Sequence, residues 1–403
     1  VAMKTWFHGA FADYALRRKL RKLQVKEFGT AGSGKTRLNR TMVVSLRVTL
    51  QSLRLLEEPA DKERLCEVLR NIGLDGVVTE LLSENNHRMA EKNQLEGERV
   101  ACLWKRLVHF GRTAKIRLTA YTGVASTLLG FGARTVCSMF KTGTTKFKED
   151  IDGPLAVQLQ SSDGLGSAIL IIADEISFIG TSLLGKMVLR GQQGRKQWLE
   201  EAGIDSDDEA SIGGNMGWVM SGDPSQLPPV NDKELISKQK PDTKLERSGK
   251  QFWDDVPYVF QLWRCHRQQN DAAYAQMCLA LKAGTYTAKH WQDCLDCDLG
   301  RGAFTEDERV LFETGASMDI VGTNAACGRH NGRRAVQRIT TEWGPNERKD
   351  ARGIWRFFAE QPTQCKSMHS SKFQGLRSTT HVVVGAEQML MLNINPAVGL
   401  ANV

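Results

Sequence analysis

Gly29 to Thr36 reads GTAGSGKT, an instance of the pattern GxxxxGK(S/T). Glycines at these positions let backbone N–H groups curl around phosphate oxygens with no side chain in the way. Lys35 is placed to reach the terminal phosphates of a nucleotide, and the Thr36 hydroxyl to bind magnesium. The flanks agree. Leu23 to Phe28 is short, partly alternating and ends at the glycine turn, so it predicts a strand, with Glu27 an odd residue for a buried one. Beyond Thr36 the apolar positions Leu38, Met42, Leu46 and Leu50 recur every fourth residue and predict a helix that packs one stripe onto a sheet. Strand, glycine loop and helix together predict an ATP site with its magnesium, formed by Gly29, Thr30, Ala31, Gly32, Ser33, Gly34, Lys35 and Thr36.

A phosphate loop needs a carboxylate to hold the metal's water shell and a base to orient the attacking water, both at the end of a neighbouring strand. Asp174 and Glu175 close the apolar run Ile169 to Ala173, which has the continuous character of a parallel strand buried on both faces. Thr36 and Asp174 are therefore the expected metal residues, and Lys35 and Glu175 the expected catalytic ones. Ile116 to Ala120 and Trp218 to Ser221 are further strand candidates. The latter runs into GDPSQLPPV, Gly222 to Val230, which puts Asp223 and Gln226 at the ligand-facing edge of an open parallel sheet. A glutamine there can hold a water or donate to the γ-phosphate, the role of a sensor.

The remaining sequence sets the frame. A chain of 403 residues predicts two or three domains, and 41% hydrophobic with 25% charged residues is the composition of a packed, soluble protein. No run is long and apolar enough for a membrane span, so no membrane partner is expected. Nine irregularly spaced cysteines do not form a secreted disulfide framework; an intracellular protein is expected, nuclear or mitochondrial if the source is eukaryotic, and monomeric. The net charge of +8 suits a polyanionic partner. The basic segment 1–22, with Arg17, Arg18, Lys19, Arg21 and Lys22, reads as a phosphate-binding arm or as the solvated face of a helix. A first domain is expected over 23–258, with a polar insertion at 51–99 that carries a helical patch at Leu65, Val68, Leu69 and Ile72. A helix through Val100, Leu103, Trp104 and Leu107 follows it, and Glu200 to Gly214 reads as a surface loop. A second domain is expected over 259–403. It would open with a strand at Val259 to Leu262, then a helix capped by Asp271, running through Tyr274, Met277, Cys278 and Leu281 and stopped by Gly284. Trp263 and Trp291 are expected in cores. Cys294 and Cys297, with His290 four residues before, make a lone CxxC to which no metal is assigned.

Four segments, in order, resemble the petite-integration-frequency helicases, RecD-like members of helicase superfamily one. They are GTAGSGKT, then TAYTGVASTLLGFGARTVCSMF at Thr119 to Phe140, then LIIADEISFIG at Leu170 to Gly180, then GDPSQLPPV. The second segment is the most telling, because generic P-loop chemistry does not demand it. The likeness continues in CHRQQNDAAYAQMCLALKAGTYT at Cys265 to Thr287 and VGTNAACGRHN at Val321 to Asn331. The resemblance implies an α/β P-loop NTPase with a RecA-like parallel-sheet lobe followed by a second, incomplete RecA-like lobe. It implies a DNA helicase that couples ATP hydrolysis to movement along single-stranded or forked DNA, in repair, recombination or replication. By the same resemblance Arg267 reaches the γ-phosphate across the cleft between lobes, and Gln226 joins the catalytic set. Thr122, Gly123, Val124 and Ala125 would contact DNA phosphates, and Phe140 would stack on a base or pack in the core. Cys137 and Ala173 stand where the family usually has histidine and isoleucine or valine. The tail from His381 resembles a segment inside the family's SH3-like insertion, which makes KFQGL, at Lys372 to Leu376, a chance echo of a late motif. The expectation is then that the chain stops before the family's last two motifs and does not unwind duplex DNA as it stands. The alternatives are a truncated or decayed relative that holds nucleotide or DNA without unwinding, and a P-loop kinase, which would need an acceptor-binding lid in place of the Ala120 to Phe140 stretch.

Overall fold

A computed structural model describes residues 23–54, 62–71, 94–143, 147–204, 213–296, 304–313, 329–334, 354–358 and 379–383, with single positions between 6 and 14 and between 74 and 78. The chain divides into two compact units, Val1–Asn270 with Asn395–Leu400, and Asp271–Ile394 with Ala401–Val403.

In chain order the first unit contains β1 (Gln24–Gly29), α1 (Lys35–Arg54), α2 (Lys62–Asn71), α3 (Gln94–Thr113), β2 (Lys115–Ala120), α4 (Gly123–Leu129), β3 (Arg134–Thr135) and α5 (Val136–Phe140). It continues with α6 (Gly153–Gln160), β4 (Ala168–Asp174), α7 (Thr181–Glu201), β5 (Gly217–Gly222), α8 (Lys244–Asp254) and β6 (Tyr258–Leu262). The six strands form one sheet in the order β3-β2-β4-β5-β1-β6, and every pairing is parallel. Helices cover both faces, so the central strand β4, AILIIAD, is buried along its whole length. Its alternation still separates two cores: Leu170 and Ile172 face one with Val43, Leu46, Leu107 and Phe110, while Ile171 and Ala173 face the other with Leu184, Met187, Trp218 and Phe252.

Three expectations are corrected here. The buried stripe of α1 is Asn39, Val43, Leu46, Leu50 and Leu53, and Leu38 is 41% exposed. A row of every fourth residue drifts about 40° per step around a helix, so a face held against a sheet mixes steps of three and four. Residues 51–99 were expected to be an insertion rather than core; yet among its described residues Cys66, Leu69, Leu74 and Val78 are buried in the first core. The apolar patch on α2 is the reason, since an amphipathic helix beside a sheet must bury its stripe. The strand near Val259 exists, but as β6 it pairs with β1, Val25 with Tyr258 through Gly29 with Leu262, and so extends the first sheet instead of opening a second domain. A strand's own residues do not say which sheet it joins.

In the second unit α9 (Ala272–Ala283) has the expected caps: Asp271 Oδ1 accepts from Tyr274 N at 2.9 Å, and Gly284 closes the helix at φ 68°. It is followed by α10 (Ala288–Asp296), α11 (Glu306–Glu313) and an antiparallel ribbon of β7 (Ile354–Phe358) and β8 (Thr379–Val383). Trp263 and Trp291 are not core residues; they are 77% and 62% exposed. Tryptophan is large and only seldom fully buried, so identity alone was a poor guide. The basic run at 17–22, KFQGL, Cys297 and most of 321–331 lie outside the described residues. Among the described residues no helix is long and apolar enough to cross a membrane.

Candidate nucleotide site

Parallel strands deliver all their C-terminal ends to one edge, and the order β4-β5-β1 brings three expected motifs to neighbouring positions there. From β1 the chain turns through Gly32 at φ 79° and Gly34 at φ 95°, left-handed conformations that side-chain-bearing residues rarely adopt. Ser33 N bonds to Thr30 O at 3.1 Å to close the turn, and Leu38 N bonds to Gly34 O at 2.9 Å to start α1. The Lys35 ammonium lies over this loop and donates to Gly29 O at 2.8 Å and Thr30 O at 3.1 Å. Gly29, Thr30, Ala31, Gly32, Ser33, Gly34, Lys35 and Thr36 thus form one continuous cradle of the kind that binds phosphate.

Next to the cradle, Thr36 Oγ1 donates to Asp174 Oδ2 at 3.1 Å although 138 residues separate them in sequence. A hydroxyl and a carboxylate in contact are the oxygen donors a magnesium ion shares with substrate phosphates, so these residues fit the metal assigned to them. Asp174 Oδ1 accepts from Glu175 N at 2.9 Å. Glu175 sits at φ 57° and ψ 42°, a left-handed conformation that costs a non-glycine residue about 1–3 kcal/mol and persists when its surroundings determine it. The surroundings do so. Besides the bond from its own amide, Glu175 Oε2 accepts from Thr122 Oγ1 at 2.9 Å and from Thr122 N at 3.3 Å.

From β5, Asp223 is buried and its Oδ1 accepts from Ser225 N at 3.1 Å, while Gln226 is exposed on the turn that follows, its N bonded to Asp223 O at 3.0 Å. The segment after β6 lies against the phosphate loop: His266 N bonds to Gly32 O at 2.8 Å, Cys265 Sγ lies 3.2 Å from Ala31 O, and a Cβ on Gly32 would collide with Arg267. Arg267 therefore comes to the loop from the strand that extends the first sheet, which corrects the expectation of an arginine carried by a second lobe. Thr122, Gly123, Val124 and Ala125 form the half-buried start of α4, where Thr122 Oγ1 also accepts from Ala125 N at 3.1 Å. Phe140 is fully buried and stacks on Trp218 with ring centroids 5.8 Å apart. It is a core residue and presents no face to a nucleic-acid base. The apolar side of a five-residue helix next to a buried sheet leaves it no other direction.

Two features escaped the sequence reading. Glu27, noticed only as unusual, is buried in β1 opposite Ser221 of β5. Burial pushes its carboxyl up to about 7, the like charge of Asp174 pushes the same way, and Lys35 opposes both. The second is the Thr122–Glu175 contact. Both residues had been singled out, but for separate tasks, and no local pattern signals that they touch.

A parallel sheet whose first strand feeds a glycine cradle, with carboxylates at the end of a nearby strand, is the RecA-like P-loop fold. Residues 77–290, just over half of the chain, match the model of the PIF1-like helicase family, and the chain belongs to that family. Among solved structures it is similar to the Pif1 helicase from Candida albicans, with a TM-score of 0.54 and 18% identity over 96% of this chain and 65% of that one. A Bacteroides Pif1 helicase in complex with ADP-AlF3 and ssDNA gives a TM-score of 0.38 and 15% identity over 85% of this chain and 57% of that one. The chain thus spans less than two thirds of the length of either. No curated protein matches the sequence.

Proposed function

We propose that this chain is an ATP-hydrolysing motor of a DNA helicase, which couples turnover at the β1–β4–β5 edge to movement on single-stranded or forked DNA in repair, recombination or replication. The observation that carries the reading is the contact of Thr36 with Asp174, which joins the phosphate loop to the acidic pair of β4. In this reading the cradle's backbone amides bind the phosphates and Lys35 supplies positive charge for the terminal ones. Thr36 and Asp174 would hold magnesium together with the nucleotide, and the ion would supply positive charge beside the phosphates. Glu175 accepts the proton of the attacking water, Gln226 orients that water or senses the γ-phosphate, and Arg267 adds charge next to Gly32. Thr122 to Ala125 take DNA phosphates through hydroxyl and backbone donors. The Bacteroides Pif1 described with ADP-AlF3 and ssDNA binds the same two ligand classes.

The test is ATP hydrolysis by the parental chain with and without a single-stranded oligonucleotide, beside Glu175→Gln. Stimulation by DNA, with nucleotide binding kept but turnover lost in the variant, is the expected result, since the amide keeps the shape of the side chain but cannot accept a proton. A Glu175→Gln chain that turns over at the parental rate would remove Glu175 from the mechanism. Absence of hydrolysis in the parental chain would overturn the motor assignment. Strand displacement on a forked duplex then reads unwinding itself and separates a helicase from a relative that only binds.

A further inference from the structure

The turn assigned to DNA and the residue assigned to water activation are joined directly. Strands β2 and β4 are neighbours in register, with Ala120 opposite Asp174, so the residues just beyond this pair meet at the sheet's edge. There Thr122 has two protons to donate, one on its hydroxyl and one on its amide, and both point to a single carboxylate oxygen, Glu175 Oε2, at 2.9 Å and 3.3 Å. The hydroxyl's acceptor side is also in use, by Ala125 N.

This arrangement has a chemical consequence for each partner. Two acceptor positions of that carboxylate oxygen are occupied by Thr122, so they are not open to the attacking water. A DNA phosphate oxygen at this turn needs the same two protons, and two anions cannot share them. The Glu175 backbone is fixed in its left-handed conformation, so release of the carboxylate needs only a change of side-chain rotamer.

We infer that Thr122 is a positioning residue for Glu175: without DNA it latches the carboxylate, and a single-strand phosphate that takes the Thr122 hydroxyl and amide frees Glu175 to act on water. The inference rests on the motor reading above and supplies its regulation, a means by which DNA at the strand site raises hydrolysis at the nucleotide site without a new contact to the phosphates. A purely structural Thr122 would serve only as the N-cap of α4, and its loss would change stability without changing the ratio of DNA-stimulated to DNA-free turnover.

The experiment measures kcat without DNA and at saturating single-stranded oligothymidylate for the parental chain, Thr122→Val and Thr122→Ser, with rates normalised to the nucleotide-binding fraction so that loss of folded protein does not count. Valine keeps the shape and removes the hydroxyl. It is expected to raise DNA-free kcat by roughly five- to tenfold, the size of one charge-assisted hydrogen bond, and to lower the stimulation ratio by a similar factor. Serine, which keeps the hydroxyl, restores the ratio. In Thr122→Val, either an unraised DNA-free kcat or an unlowered stimulation ratio overturns the latch while leaving the motor reading intact. A parental chain that DNA does not stimulate overturns both.

Discussion

Glu27 shows how one side chain can carry a pH dependence that its motif does not announce. Its strand is buried on both faces, where an apolar residue is the rule, and its carboxyl is held near 7 instead of near 4.5. The folded state therefore binds this proton more tightly than the unfolded state. Below about 4.5 both states are protonated and the site is not penalised; as pH rises through 7 the native protein must hold a buried charge, and that stability is lost. Glu27→Gln cannot ionise. It should be more stable than the parental chain above pH 7, by about 3 kcal/mol from the size of the shift, and the advantage should vanish near pH 4.5. Denaturant unfolding of both chains at the two pH values measures this, and a gap of equal size at both would show that the carboxyl is not the cause. At this scale the glycine turn that carries Lys35 and Thr36 was legible from a spaced motif, and the place of Asp174 and Glu175 at a strand end from the apolar run before them. Phe140 was not, since an aromatic residue at a helix end carries no mark of the direction in which it points.

Between elements, α7 and α8 cross with their backbones in close approach. A Cβ on Gly185 would collide with Leu245 O, and one on Gly249 with Thr181 O, so each helix offers a glycine to the other's backbone. This crossing supports the second core, where Leu184, Met187, Phe252 and Trp253 meet Trp218 under β4 and β5. Gly249→Ala should destabilise the protein by about 1–3 kcal/mol through overpacking, despite a gain of about 1 kcal/mol in intrinsic helix propensity. Thermal unfolding reads the balance, and a stabilised variant would show that the two helices can move apart. The helices themselves were partly legible: α9 has its cap and its stop at Asp271 and Gly284, local signals that act within a few residues. The close crossing was not, because a glycine in a helical stretch reads as a weak spot until its neighbour is known.

For the whole molecule the measurable property is charge. On the proposed function, a chain of net charge +8 should bind single-stranded oligonucleotide with an affinity that falls by roughly tenfold or more between about 50 and 200 mM salt, as released counterions are taken back. Fluorescence anisotropy of a labelled oligothymidylate gives the slope, and binding indifferent to salt would count against phosphate recognition. The sequence by itself determined the glycine turn after β1, the acidic pair at the end of β4, the caps of α9 and the parallel character of the central sheet. Each depends on backbone conformations or periodicities that a short stretch specifies alone. Only the tertiary structure decided that β6 joins the first sheet, that Arg267 reaches Gly32 from that strand, that Glu27 lies close to Asp174, and that Thr122 holds Glu175 across 53 residues of sequence. Those contacts follow from strand order, which is settled by how two cores pack on opposite faces of one sheet and leaves no trace in any local pattern.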